Sequence, residues 1–158
     1  IELTWSDALA LDVAPMDDTH REFVDLLASV AEAADGDLVA AWEALIDHTA
    51  DHFAREDRWM QQTGFASVNC HTTQHQVVLS VMRDAAAVAD ADRHALIRRL
   101  AHELALWFPS HAQTMDAALA LHLRSVAFDF DTGRMREDST RAAARPISGC
   151  GSMACDTP

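Results

Sequence analysis

Between Leu38 and Trp59 the chain carries a stripe at helical spacing, Leu38, Trp42, Leu45, Thr49, His52, Glu56 and Trp59, in which an apolar series runs into an imidazole and a carboxylate. Three further stripes repeat the pattern: His20, Phe23, Leu27, Val30 and Ala34; His71, His75, Val78 and Met82; Ile97, Leu100, Leu104, Trp107 and His111. They predict four helices. The first is capped by Asp17 or Asp18 and runs to about Asp35, where Gly36 stops it. The second covers about 38–62 and ends at Gly64, and the third about 69–88. The fourth starts near Asp92, kinks or breaks at Pro109 and resumes through Ala118 to about Ser125.

Residues 1–16 read as an extended arm ended by Pro15, with Trp5 as an anchor, and beyond Phe130 the apolar periodicity fails. The expected organisation is all-α: an antiparallel up-down four-helix bundle with its arm over 1–126, and a disordered tail over 127–158. No repeat at solenoid spacing is present.

Composition narrows the function. Apolar residues make up 49% of 158, Tyr is absent and Gly and Pro are few, which favours helix over sheet. A formal charge of −13 argues against nucleic acid and anionic membrane surfaces as partners, because both select basic patches. No apolar run reaches the roughly 20 residues of a membrane span, and no basic-then-apolar leader opens the sequence. Three cysteines are no disulfide framework, so the cytoplasm is the expected compartment.

The polar residues on the apolar stripes carry the chemistry. His52 and Glu56 form HxxxE, and His71 and His75 form HxxxH; both are spaced to grip one ion from one helix face. His111 and Asp116 form HxxxxD, five apart, which an ideal helix does not align. Either the kink near Pro109 or a local π-type widening would bring Asp116 round, and the helix geometry at 107–116 decides. With His20, the four helices supply five imidazoles and two carboxylates. Burying one such neutral group without a partner costs roughly 2–7 kcal/mol, and a charge costs more. Two six-coordinate ions offer about twelve positions. Five imidazoles, two bridging carboxylates and a bridging oxygen leave one position open for a small ligand. Zinc takes fewer ligands and calcium or magnesium wants oxygen, so iron fits best, ahead of manganese or cobalt.

The order MDDTH, HFAREDRWM, HTTQH and WFPSHAQTMD resembles the hemerythrin family in its bacterial branch, over roughly residues 1–125. The resemblance implies two iron ions bridged by Glu56, Asp116 and an oxo or hydroxo group. His71, His75 and His111 would hold one iron, and His20 and His52 the other, whose free position takes dioxygen. Phe108 stands where the family commonly has Leu, Ala112 where an aliphatic is usual and His48 where an aromatic is frequent, while Pro109 is not a general family feature. Phe23, Phe53, Trp107, Phe108 and His48 are expected to wall or adjoin the dioxygen pocket. His48 is also weighed as an alternative ligand.

The implied function is reversible dioxygen binding for carriage, storage or supply, without catalysis. Two other readings remain open: an oxygen or redox sensor acting on a partner in trans, and a di-iron enzyme that reduces peroxide or nitric oxide. His94, His102 and His122 read as solvent-side or edge residues and Cys70 as facing away from the ions, while Cys150 and Cys155 signal nothing specific, a tail disulfide or a loose metal grip both being open. There is no GxGxxG, P-loop, GxSxG or zincin motif, nor the Glu-x-x-His pairs of carboxylate-rich di-iron proteins.

Overall fold

The computed structural model describes residues 3–136, and within them the protein is an all-α four-helix bundle. After a short 3-10 turn at Asp7–Leu9 come α1 (Ala14–Glu32), α2 (Asp35–Thr63), α3 (Val68–Ala87) and α4 (Asp90–His111). A π-helical turn, Ala112–Asp116, joins α4 without interruption to α5 (Ala117–Ser125). Each long helix packs on the next, and α4 closes the ring against α1. No helix among the described residues is long and apolar enough to cross a membrane.

Local chemistry sets the ends. Pro15 opens α1 instead of ending the arm, since its missing N–H and fixed φ suit a first helical turn. Asp17 lies inside that turn and accepts the N–H of Leu11 at 2.7 Å. Gly36, expected to stop the first helix, sits in the first turn of α2. There Asp35 and Asp37 favour a helix start by facing its positive end. The break falls two residues earlier, at Ala33 and Ala34. Arg98 of α4 holds it by donating to the Ala33 carbonyl at 3.0 Å and the Asp35 carboxylate at 2.8 Å. At the far end of α2, Gly64 has φ +63 and terminates the helix as its sequence position suggests. Trp5 packs on the core with the Arg21 guanidinium 4.8 Å from its ring centre.

Two apolar clusters fill the bundle. One gathers around Trp42, fully buried with its indole N–H donating to the Met82 carbonyl at 3.0 Å, together with Phe23, Leu45, Ile97 and Phe108. The other gathers around Met60 with Met16, Phe65, Leu119 and Leu123. Phe128, Phe130 and Met135, in the stretch that the sequence assigns to the tail, pack in this second cluster. Phe128 is buried, and the chain turns back with Asp129 N–H on Arg134 O at 2.8 Å and Arg136 N–H on Val126 O at 3.1 Å. Cys150, Cys155 and the remainder of that tail lie outside the described residues.

Candidate metal centre

Between the clusters lies a polar layer: His20, His52, Glu56, His71, His75, His111 and Asp116, each no more than 3% exposed. α1 contributes His20, α2 His52 and Glu56, α3 His71 and His75, and α4 His111. Asp116 comes from the π turn. There the Ala117 N–H bonds back five residues to the Ala112 carbonyl, and the extra residue per turn aligns what an α-helix would separate. His111 Nε2 stands 3.2 Å from Asp116 Oδ1 as a result. Of the two devices open for the HxxxxD spacing, a kink at Pro109 or a π-type widening, the structure has the widening. Pro109 stays inside α4 and does not end it.

The carboxylates divide the imidazoles into two sets. Glu56 Oε1 faces His52 Nε2 at 3.1 Å and His20 Nε2 at 3.7 Å. Its Oε2 faces His75 Nε2 at 3.4 Å and His71 Nε2 at 3.7 Å. Asp116 repeats the division: Oδ2 lies 3.2 Å from His20, and Oδ1 lies 2.9 Å from His71 and 3.2 Å from His111. Two groups of convergent donor atoms result, Glu56, His71, His75, His111 and Asp116 in one, and His20, His52, Glu56 and Asp116 in the other.

These approaches are mostly not hydrogen bonds. Nε2 of His20, His71, His75 and His111, Oε2 of Glu56 and both carboxylate oxygens of Asp116 are buried without a hydrogen-bond partner. Native interiors rarely leave such atoms unpaired, and so many around common points signal an ion. The donor set, imidazole nitrogen with two carboxylates, suits borderline divalent metals, and the cluster is compatible with a di-iron site.

Electrostatics agree. Burial works against a charge on His20, but Asp116 and Glu56 outweigh it and raise its pKa to about 9. His75 is likewise raised against burial, by Glu56 and Asp57. On His111 burial wins and the pKa falls. Burial would raise the Asp116 carboxyl, yet His111, His20 and His71 hold it well below the usual range. Burial and Asp116 both push Glu56 up, and His52 and His20 nonetheless keep it low. Both carboxylates are therefore ionised, and a metal would displace protons held on the imidazoles.

The residues expected around a dioxygen pocket take up different posts. Phe108 sets its edge on His20 at 5.2 Å and stacks on Phe23 at 4.6 Å. Phe53 lies flat on His75 at 3.9 Å and also reaches His52 at 5.2 Å. Trp107 stacks on His111 at 4.4 Å, on the side of the three imidazoles. His48 spends Nε2 on the Thr19 carbonyl at 3.2 Å, and its Nδ1 is 3.6 Å from Glu22. Both nitrogens face α1, so His48 is in neither donor group and is a neighbour of His52, not an alternative ligand. Its pKa is lowered, by burial first and then by His52. His122 is an edge residue, half-buried with Nε2 on the Thr63 carbonyl at 3.1 Å. Cys70 is half-buried and in neither donor group.

Sequence reasoning missed Asp57, Thr72 and Gln74. Asp57 Oδ1 accepts from His75 Nδ1 at 3.0 Å and from the Thr72 hydroxyl at 3.0 Å. Gln74 Oε1 accepts from His111 Nδ1 at 3.1 Å. Their adjacency to Glu56, His71 and His75 was the available signal.

Comparison with known proteins agrees with this geometry. The family model described as the hemerythrin HHE cation binding domain matches residues 11–121. The bacteriohemerythrin of Ralstonia nicotianae is 40% identical over 121 residues, covering 77% of this chain and 88% of that protein. That of Stenotrophomonas maltophilia is 25% identical over 142 residues, 83% of this chain and 90% of its own. The myohemerythrin of Riftia pachyptila is 26% identical over 113 residues, 71% and 86% of the two chains. No solved structure matches. The polar layer spanned by four helices and the match across most of the chain lead to one conclusion: the protein belongs to the hemerythrin family.

Proposed function

We propose that the protein binds dioxygen reversibly at a di-iron centre, with His71, His75 and His111 on one iron, His20 and His52 on the other, and Glu56 and Asp116 bridging. One observation carries this reading: each carboxylate turns one oxygen to each imidazole set. A bound iron pair would supply the electrons needed to hold dioxygen and would take them back on release.

The chain's own residues do the rest. Phe23 and Phe108 cover His20 with apolar surface, keeping water and acid from the set with fewer imidazoles. Trp107 and Phe53 do the same over His111 and His75. His48, the nearest further titratable ring to His52, is committed to Thr19 and directs neither nitrogen into the layer. Among the described residues no further acid or base is directed there for O–O cleavage, which favours holding the gas over activating it.

The test is spectroscopic. Iron-replete protein should contain two irons per chain. After reduction, a visible charge-transfer band should develop in air and vanish on deoxygenation, over repeated cycles. One-way oxidation with no oxygenated form would overturn carriage. Replacing the bridge, as Glu56→Ala, should abolish the band and lower the iron content.

A further inference from the structure

The five imidazoles of the layer are not held alike. His75 has an anionic partner on its outer nitrogen, Asp57 Oδ1 at 3.0 Å, and His111 has the Gln74 amide oxygen at 3.1 Å. The Nδ1 atoms of His20, His52 and His71 have no hydrogen-bond partner among the described residues. Both held rings belong to the three-imidazole set. Neither ring of the two-imidazole set is held in this way.

We propose that Asp57 is a positioning residue of the metal centre and, through His75, makes the three-imidazole position the tighter of the two. This role for Asp57 rests on the two-metal reading above. An imidazole whose Nδ1–H donates a hydrogen bond to a carboxylate keeps its lone pair on Nε2, the atom that points into the layer. The carboxylate also makes the ring a stronger donor. Asp57 is itself fixed by the Thr72 hydroxyl at 3.0 Å, so it arrives oriented. Phe53, parallel to the His75 ring within 6°, sets the plane of the ring while Asp57 sets its rotation.

Helix geometry explains the economy of this device. Glu56 and Asp57 are consecutive on α2, about 100° apart. One carboxylate enters the layer as the other reaches α3 from behind it. The two inner positions of HTTQH that face neighbouring helices serve the same end. Thr72 secures Asp57, and Gln74 secures His111 across the α3–α4 interface. His20 and His52 are oriented by packing instead, against Phe108 and Phe53. Packing restrains a ring but does not choose which nitrogen carries the proton.

Cobalt(II) titration of the metal-stripped full chain under anaerobic conditions tests this, with bound metal counted by dialysis and geometry followed through the d–d absorption. The wild-type chain should take two ions, one more tightly than the other. In Asp57→Leu the tight ion should weaken by about 10–100-fold with altered d–d bands, while the weaker ion changes little. Asp57→Asn keeps an acceptor oxygen for His75 and should recover much of the loss. The melting temperature of each metal-free variant reports general damage separately. Equal affinities for the two wild-type ions, an unchanged tight ion in Asp57→Leu, or equal weakening of both ions would overturn the proposal. Should Asp57→Leu not fold, Asp57→Ala, which also removes the acceptor of His75, decides it: selective weakening of the tight ion supports the proposal, and wild-type affinity overturns it. A wild-type chain that takes no second ion would instead overturn the two-metal reading.

Discussion

The cluster around Trp42 and the cluster around Met60 flank the same polar layer, yet they are closed by different means. In the first, every buried residue but Leu9 belongs to the continuous helical runs, and facing helices exclude the water. In the second, Val13, Phe65, Val126 and Phe128 lie outside the helices and seal the end with loop and turn backbone. Turn backbone closes an apolar end only where its own polar groups are paired. Here they are: Asp129 Oδ1 accepts the N–H groups of Asp131 and Thr132, and Gly133 N–H reaches Asp129 O at 2.8 Å. The polar layer thus rests on a rigid helical floor and beneath a roof of connecting segments. Local opening should favour the roof.

The sharpest way to break this comparison is to empty the floor. Trp42→Ala in metal-stripped protein should lower stability by about 3–5 kcal/mol, the usual cost of deleting a large buried aromatic. It also leaves the Met82 carbonyl without its indole donor. Urea unfolding measures the loss. Next comes Phe128→Ala, which removes one plate of the roof. A side chain 8% exposed beside a turn can partly refill, so the expected loss is smaller, about 1.5–3 kcal/mol. Hydrogen exchange should speed up in α5 and at the C-terminal end of α2, and leave α3, α4 and the stretch of α2 around Trp42 untouched. Equal destabilisation by both substitutions, or exchange spreading to α3 and α4, would show one cooperative core and erase the distinction.

The same contrast explains what could be read from the sequence. The floor follows 3.6-residue periodicity, so its stripes, including His20, His52, Glu56, His71, His75 and His111, were visible as faces. Asp116 was out of phase on an ideal helix, and the five-residue spacing called for a kink or a widening, of which the π turn is the one found. Asp57 and Gln74 lie off every stripe, and their partners belong to other helices. No periodicity reveals such a pair. Gly36 and Pro15 were misread because each residue has two positional meanings. A glycine can end a helix or be tolerated in a first turn, and a proline can stop a chain segment or open the next one.

The packing of Phe128 was hidden for a subtler reason, and that reason can be tested. α2 and α5 end in the same motif. At Gly64 the chain enters the left-handed region, Phe65 N–H bonds to Met60 O at 2.9 Å, and both side chains join the Met60 cluster. At Ala127, φ is +47, Phe128 N–H bonds to Leu123 O at 2.9 Å, and that pair joins the same cluster. Glycine announces the first motif, and alanine conceals the second. An L-residue with a Cβ costs about 1–2 kcal/mol in this conformation, whereas a glycine gives back only about 0.4–1 kcal/mol through the greater freedom of the unfolded chain. Ala127→Gly should therefore stabilise the protein, by up to about 1.5 kcal/mol on those two figures. Gly64→Ala meets no atom within 4 Å, so only the backbone opposes it, and it should destabilise by a similar amount. Thermal melting of the two metal-free variants should thus move in opposite directions from the wild type. A fall in melting temperature for Ala127→Gly would mean that the turn after α5 is held by something other than this cap.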